Sequence, residues 1–347
     1  MFFRRHASDS KEIEAAMNKG PIFIGGLDRC GKTTLRAFLV SHPNVSIPAV
    51  GSNMWTYFYG QFGDLSEPAN FERCMDAMLH YKHVRFLKPD AEEIRQAFRK
   101  GPASYARLFG LFLEQHARRE GKPRWGEQTG LIERYIDRVF ETFSDGRMIH
   151  MIRDPRDRYV ESLKMWPNGK GRAGGAVARW LYTTALARHN LKKYPQQYLT
   201  VRFEDMVQAP EATLKAICQF IGEEYVPEML ELVGAPDHRA KMMSNSKGNH
   251  TGSLLSDEHI GMYRKGLPKD ELAFMQSMAR ASLREYGYEL EPIRFTFFEQ
   301  IAYLFWQWPA NFVRMIAWLG IEYFQQNYPQ TFGRKPAAKM VVKNVKA

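Results

Sequence analysis

The stretch Pro21-Ile-Phe-Ile-Gly-Gly-Leu-Asp-Arg-Cys-Gly-Lys-Thr-Thr34 limits what this chain can fold into more than any other. A short apolar run ends in paired glycines. The residues from Lys32 to Ser41 then carry apolar side chains at helical spacing until His42-Pro43 stops them. That order reads as buried strand, tight loop and helix. From Gly26 to Thr33 the loop matches G-x-x-x-x-G-K-T at every fixed position. Its glycines let the backbone curl so that successive N–H groups point inward, and the helix that follows adds its positive end. Lys32 brings a cation, and Thr33 and Thr34 bring hydroxyl donors. The expected ligand is a phosphate group, although the loop by itself does not name the nucleotide.

Two further apolar runs, Met148–Ile152 and Tyr198–Phe203, read as buried strands. Helical periodicity fills most of 70–121, then 176–193 and 211–221. Strands alternating with helices predict an α/β fold, a P-loop-type parallel sheet flanked by helices on both faces. Ligands of such sheets bind at the carboxyl ends of the strands. With 347 residues and 44% apolar content there is enough material for one large domain with appendages. The expected division is a polar N-terminal helix or tail over 1–20, a main domain over 21–290, an aromatic-rich helical C-terminal extension over 291–330 and a basic tail over 331–347.

Composition narrows the setting. Cys30, Cys74 and Cys218 are far apart and odd in number, which argues against a disulfide framework and against a zinc site. The N-terminus turns charged at once and has no apolar run long enough for a signal peptide, so a cytoplasmic location is expected. A formal net charge of +11 points to anionic partners. Nucleic acid is not expected, because the basic residues are dispersed and no recognition motif is present.

Two families share the loop pattern. Gly26 to Thr34 is similar to the loop of thymidylate kinases, and Asp157-Arg158-Tyr159 echoes a short motif of theirs. A kinase also wants an acidic residue at the end of a buried strand to help hold magnesium. Met148–Ile152 ends in Arg153 instead, with Asp154 one step late. The remaining segments are Arg124-Trp-Gly-Glu-Gln-Thr129, Tyr135-Ile-Asp-Arg-Val-Phe140, Arg147 through Asp157, Val201-Arg-Phe-Glu-Asp-Met-Val207, Phe220-Ile-Gly222, Met262-Tyr-Arg-Lys-Gly-Leu267 and Tyr286-Gly-Tyr288. In that order and spacing, over about 21–290, they resemble the sulfotransferases that use 3′-phosphoadenosine 5′-phosphosulfate (PAPS).

The resemblance implies transfer of a sulfuryl group from PAPS to an acceptor hydroxyl or amine, with carbohydrates and glycolipids among the candidates, and without a catalytic metal. It also implies roles. Arg29 matches the residue that contacts the oxygen bridging phosphate and sulfur. Gly26, Cys30, Gly31, Lys32, Thr33 and Thr34 belong to the loop around the 5′-phosphate. Arg153 matches the clamp on the 3′-phosphate, Ser162 lies one residue past the family's serine, and Arg264, Lys265 and Gly266 match a second 3′-phosphate site. Phe203 stands where relatives place an adenine-contacting tyrosine. Glu127 lies where some branches carry a catalytic carboxylate or lysine, which makes it the expected base beside the catalytic cations Arg29 and Lys32.

Departures from the pattern leave alternatives. Lys32 replaces the usual first threonine after the loop glycine, Glu161 takes the serine position, and Gln128-Thr-Gly130 replaces Lys-Thr-Pro. A nucleotide kinase and a non-catalytic nucleotide-binding protein remain as other readings. Beyond the resemblance, the longest uncharged run, Gln300 to Val313, is too short to span a bilayer, which needs about 20 residues. Two amphipathic helices hinged at Pro309 are expected over 294–330. They are expected to touch a membrane surface peripherally, to pack on the core, or to join two copies of the chain.

Overall fold

The computed structural model describes residues 19–165, 172–239, 255 and 257–341. The polar helix expected before residue 19, and Lys343 and Lys346 of the basic tail, lie outside them. Five strands, β1 (Ile22–Gly25), β2 (Val45–Ser46), β3 (Arg124–Gln128), β4 (Arg147–Ile152) and β5 (Tyr198–Arg202), form one sheet in the order β2-β3-β1-β4-β5. Every pairing is parallel, so the α/β expectation holds. Because β1 lies between β3 and β4, the chain leaves the sheet at its topological switch point, where a crevice opens at the carboxyl ends.

Alternation along β1 feeds two cores. Phe23 faces a layer built with Trp125, Met148, Val177 and Trp180, covered by α2 (Tyr105–Arg119) and α4 (Arg172–Lys193). Ile22 and Ile24 face the other side, with α1 (Lys32–Leu39), α5 (Phe203–Gln208) and α6 (Pro210–Ile221). Between β4 and α4 runs α3 (Pro155–Met165), and α7 (Lys269–Glu285) closes the far edge against α4.

Strand β3 had no apolar run to announce it. Its two charged side chains, Arg124 and Glu127, are buried but satisfied. Arg124 donates to the carbonyls of Gly20 and Ile221 and pairs with Glu223 at 3.0 Å, both side chains almost fully buried. Glu127 receives the Ser52 hydroxyl and, at 3.1 Å, the Trp55 indole N–H.

The C-terminal segment is helical, as expected, but not hinged at Pro309. A short helix, Phe297–Ala302, with a capping box at Thr296, runs through a π-helical turn at Tyr303–Gln307 into α8 (Trp308–Asn327). Pro309 sits in the first turn of α8, directly after the π-helical turn. One face of α8 packs on α4. Gly174 makes this possible, because a Cβ there would stand 2.0 Å from the Asn311 carbonyl oxygen. No described helix is long and apolar enough to cross a membrane.

Candidate active site

The loop after β1 is shaped by backbone conformations that L-residues avoid. Gly26, Arg29 and Gly31 have φ of 105°, 63° and 90°. Gly31 precedes α1, and no side chain caps that helix, which leaves its first N–H groups for a ligand. A Cβ at Gly31 would meet the Phe203 ring at 2.5 Å, so the aromatic ring sets the loop's height. From behind, Gly26 N–H donates to Glu133 Oε2 at 3.2 Å. Glu133 also accepts from Thr183, whose hydroxyl meets His150; His150 in turn meets the Tyr198 hydroxyl. Burial works against ionisation of Glu133, but His150, Thr183 and the Gly26 N–H outweigh it and hold the carboxyl below its usual range.

In front of the loop lies a cleft of about 1030 Å³ at the carboxyl edge of the sheet. One half is lined by loop residues with Arg153, Glu161, Ser162 and Phe203. Arg153 is the first residue after β4 and is 4% exposed. Its guanidinium donates to the carbonyls of Arg29 and His259 and lies 4.5 Å from the centre of the Phe203 ring, while Nε has no protein partner. A buried guanidinium N–H without a partner is costly unless a ligand takes it. The other half is lined by Asn53, Thr56, Tyr57, Gln128 and Thr129, together with Arg179, Trp318, Arg334 and Lys335. Gln128 Oε1 and Thr129 Oγ1 are buried there without partners.

Several expected residues meet in this cleft. Arg29, Gly31, Lys32, Thr33, Thr34, Arg153, Ser162 and Phe203 all line it. Lys32 is folded back on the loop, its ammonium donating to the carbonyls of Gly26 and Leu27. Cys30 turns inward and donates to the Leu27 carbonyl, and burial pushes its thiol up. The one-residue offset of the serine does not remove it from the wall, because Glu161 and Ser162 both face the cleft.

Other expected residues stand off the cleft wall. Glu127 is 1% exposed, sealed between Ser52 and Trp55 and absent from the cleft wall. Burial pushes its carboxyl up to about 7, with Ser52 and Trp55 working the other way. It is therefore not placed to take a proton from an acceptor, and the carboxylates that do line the cleft are Asp28 and Glu161. Arg264, Lys265 and Gly266 also stand off the wall. Arg264 pairs with Glu291 at 2.7 Å, and Gly266 packs against Val160.

Sequence reasoning missed Glu133, Arg158 and the α4–α8 contribution. Arg158 is 1% exposed, donates to Asp28, and leaves Nε and Nη2 unpartnered. Burial works to raise the Asp28 carboxyl, but Arg158, Lys32 and Arg179 hold it below its usual value. A usable signal was the run Ala173-Gly-Gly-Ala176, small residues that let a second helix approach α4 and bring Trp318 to the cleft.

The sulfotransferase family model matches residues 21–227, more than half of the chain. This chain belongs to the sulfotransferase family. Rat (Rattus norvegicus) sulfotransferase 2A1 is 27% identical to it over 144 residues, 37% of this chain and 50% of that protein. Mouse (Mus musculus) sulfotransferase 2A6 is 25% identical over 145 residues, with the same shares. The chain thus spans about half the length of the curated relatives it matches. Its fold is also that of the sulfotransferase domain from the Synechococcus PCC 7002 olefin synthase, with a TM-score of 0.51 and 19% identity over 79% of this chain and 98% of that domain. In this chain the kinase-like triplet 157–159 is held by internal contacts. Asp157 accepts the N–H groups of Gly261 and Tyr263, Arg158 braces Asp28, and Tyr159 donates to Glu271.

Proposed function

We propose that this chain binds PAPS in the cleft and transfers its sulfuryl group to a hydroxyl or amine of an acceptor in the half lined by Asn53, Thr56, Tyr57, Gln128 and Thr129. The observation that carries the reading is Arg153, a buried guanidinium with an unpartnered Nε on the cleft wall, beside the Phe203 ring and the open N-terminus of α1. Cation, ring and loop suit a 3′-phosphate, an adenine and a 5′-phosphate respectively, and membership of the family agrees.

When bound, PAPS would supply the sulfuryl group to the acceptor oxygen or nitrogen, adenosine 3′,5′-bisphosphate would leave, and the acceptor's proton would pass to solvent in the cleft. The N–H groups at the start of α1, Thr33 and Thr34 hold the 5′-phosphate, and Arg153 and Ser162 the 3′-phosphate. Arg29 and Lys32 offset the negative charge that grows on the leaving oxygen, which is where fixed cations accelerate transfer most. Lys32 must release the Gly26 and Leu27 carbonyls to do so. Glu133 keeps the loop in register by holding Gly26 N–H. The unpartnered oxygens of Gln128 and Thr129 orient the acceptor's hydroxyl or amine. The test is to incubate the protein with ³⁵S-labelled PAPS and fractionated extract. The expected result is a labelled acceptor that disappears with Arg29→Ala. Binding of the nucleotide without any labelled product in any fraction would leave a nucleotide-binding protein and refute the transfer.

A further inference from the structure

Among the described residues, fourteen exposed large apolar side chains fall in 297–332 and five elsewhere. The patch is not scattered. Phe298, Phe305 and Trp306 are 81%, 78% and 78% exposed, and Val313, Ile316 and Phe324 continue it along the outer stripe of α8. Helices on a protein surface normally turn apolar residues inward and charges outward. Here the pattern is reversed. Between Gln300 and Gly333 the only charged residues are Arg314 and Glu322, and both are used internally. Glu322 is 2% exposed and pairs with Arg134 and with Arg334, while Arg314 donates to the buried Asn311. From Gln300 on, the outward face therefore carries no unpaired charge, and Glu299, exposed just before it, pairs with Lys269 at 3.4 Å.

What surrounds the face is basic. Arg294 precedes it, and Lys335 and Lys339 follow it, all exposed. The segment's two carboxylates are already paired within the chain, Glu322 in the interior with Arg134 and Arg334 and Glu299 at the surface with Lys269, so a second copy seated on the same face would bring mainly cations against cations. Two chains of formal charge +11 would also repel. An anionic surface is favoured by both features. Aromatic side chains on an uncharged face, flanked by lysine and arginine, match the water–lipid boundary, where Trp and Tyr rings settle at headgroup level. Trp318 of the same segment, and Arg334 and Lys335 just after it, line the cleft, so the segment borders the site.

We propose that residues 297–332 dock this protein on an anionic lipid bilayer, lying in its surface without crossing it. The inference does not depend on the transfer reaction. It is tested with the full chain and sucrose-loaded vesicles of phosphatidylcholine alone or mixed with phosphatidylserine. The protein sediments with the mixed vesicles at low salt, far less with neutral ones, and is released by high salt. Phe305→Ser combined with Trp306→Ser lowers vesicle binding about tenfold or more, since partition follows buried apolar area. Its melting temperature and its binding of adenosine 3′,5′-bisphosphate stay as in the parent, because both side chains are solvent-facing. Failure of the parent protein to sediment with mixed vesicles overturns the proposal, whether it is then a monomer or a dimer that the double substitution dissociates. Equal sedimentation of parent and double variant overturns it as well.

Discussion

Replacing Glu127 with glutamine exchanges a buried acid for a neutral amide of the same shape. Trp55 keeps an oxygen acceptor, and the Ser52 hydroxyl rotates to accept from the new amide. The exchange removes only the titration. Burial raises this carboxyl from 4.5 to about 7 in the folded protein. The folded state therefore holds the proton more tightly than the unfolded one between those two values. Its stabilising share is complete below 4.5 and is lost as the pH rises through about 7. At about 1.4 kcal/mol per pH unit, the loss approaches about 3 kcal/mol by pH 8. Denaturant unfolding of parent and variant at several pH values isolates it, since every other titrating group cancels in the difference. Glu127→Gln should be close to the parent near pH 4.5 and more stable by about 3 kcal/mol near pH 8. Turnover should change little, because the group does not reach the cleft. A stability difference that stays flat with pH would refute the burial argument. A fall in turnover of about 10²–10⁴, the range for a lost general base, would return Glu127 to the chemistry.

Arg153→Ala should weaken adenosine 3′,5′-bisphosphate about 10- to 100-fold in calorimetric titration, the scale of one lost charge-assisted contact. Arg29→Ala should lower kcat with little change in nucleotide affinity, and the reverse pattern would exchange the two roles. Glu223→Ala strands the buried Arg124 guanidinium and should cost about 3–5 kcal/mol in denaturant unfolding, whereas a loss below about 1 kcal/mol would mean that the carbonyls of Gly20 and Ile221 suffice.

The central half of the fold was legible because its residues obey simple rules. Ile22–Gly25, Met148–Ile152 and Tyr198–Phe203 are apolar runs with no alternative to burial, and the loop between β1 and α1 is a pattern of glycines tied to backbone angles. Strand β3 was not legible as a strand, because Arg124 and Glu127 look like surface residues until Glu223, Ser52 and Trp55 are seen to satisfy them. The same blindness made Glu127 look catalytic. One-dimensional spacing placed it beside Gln128 and Thr129, which do line the cleft, but the cleft opens at the carboxyl end of β3, and Glu127 lies inside the strand under Ser52 and Trp55. Glu133 and Arg158 act on the loop through contacts 107 and 130 residues away in sequence, which no local pattern encodes. The C-terminal helices were expected from periodicity. That their charges point inward and their aromatic residues outward became visible only once α8 had a partner in α4.

Most direct of all is calorimetric titration of the parent protein with adenosine 3′,5′-bisphosphate in the presence of EDTA, alongside ATP with magnesium. The account predicts one saturable site for the bisphosphate, weakened by Arg153→Ala, and a melting shift of about 2.7 kcal/mol in stability at a hundredfold excess over Kd. It also predicts weaker binding of ATP with magnesium. Tight binding that requires magnesium and prefers ATP, unaffected by Arg153→Ala, would contradict it.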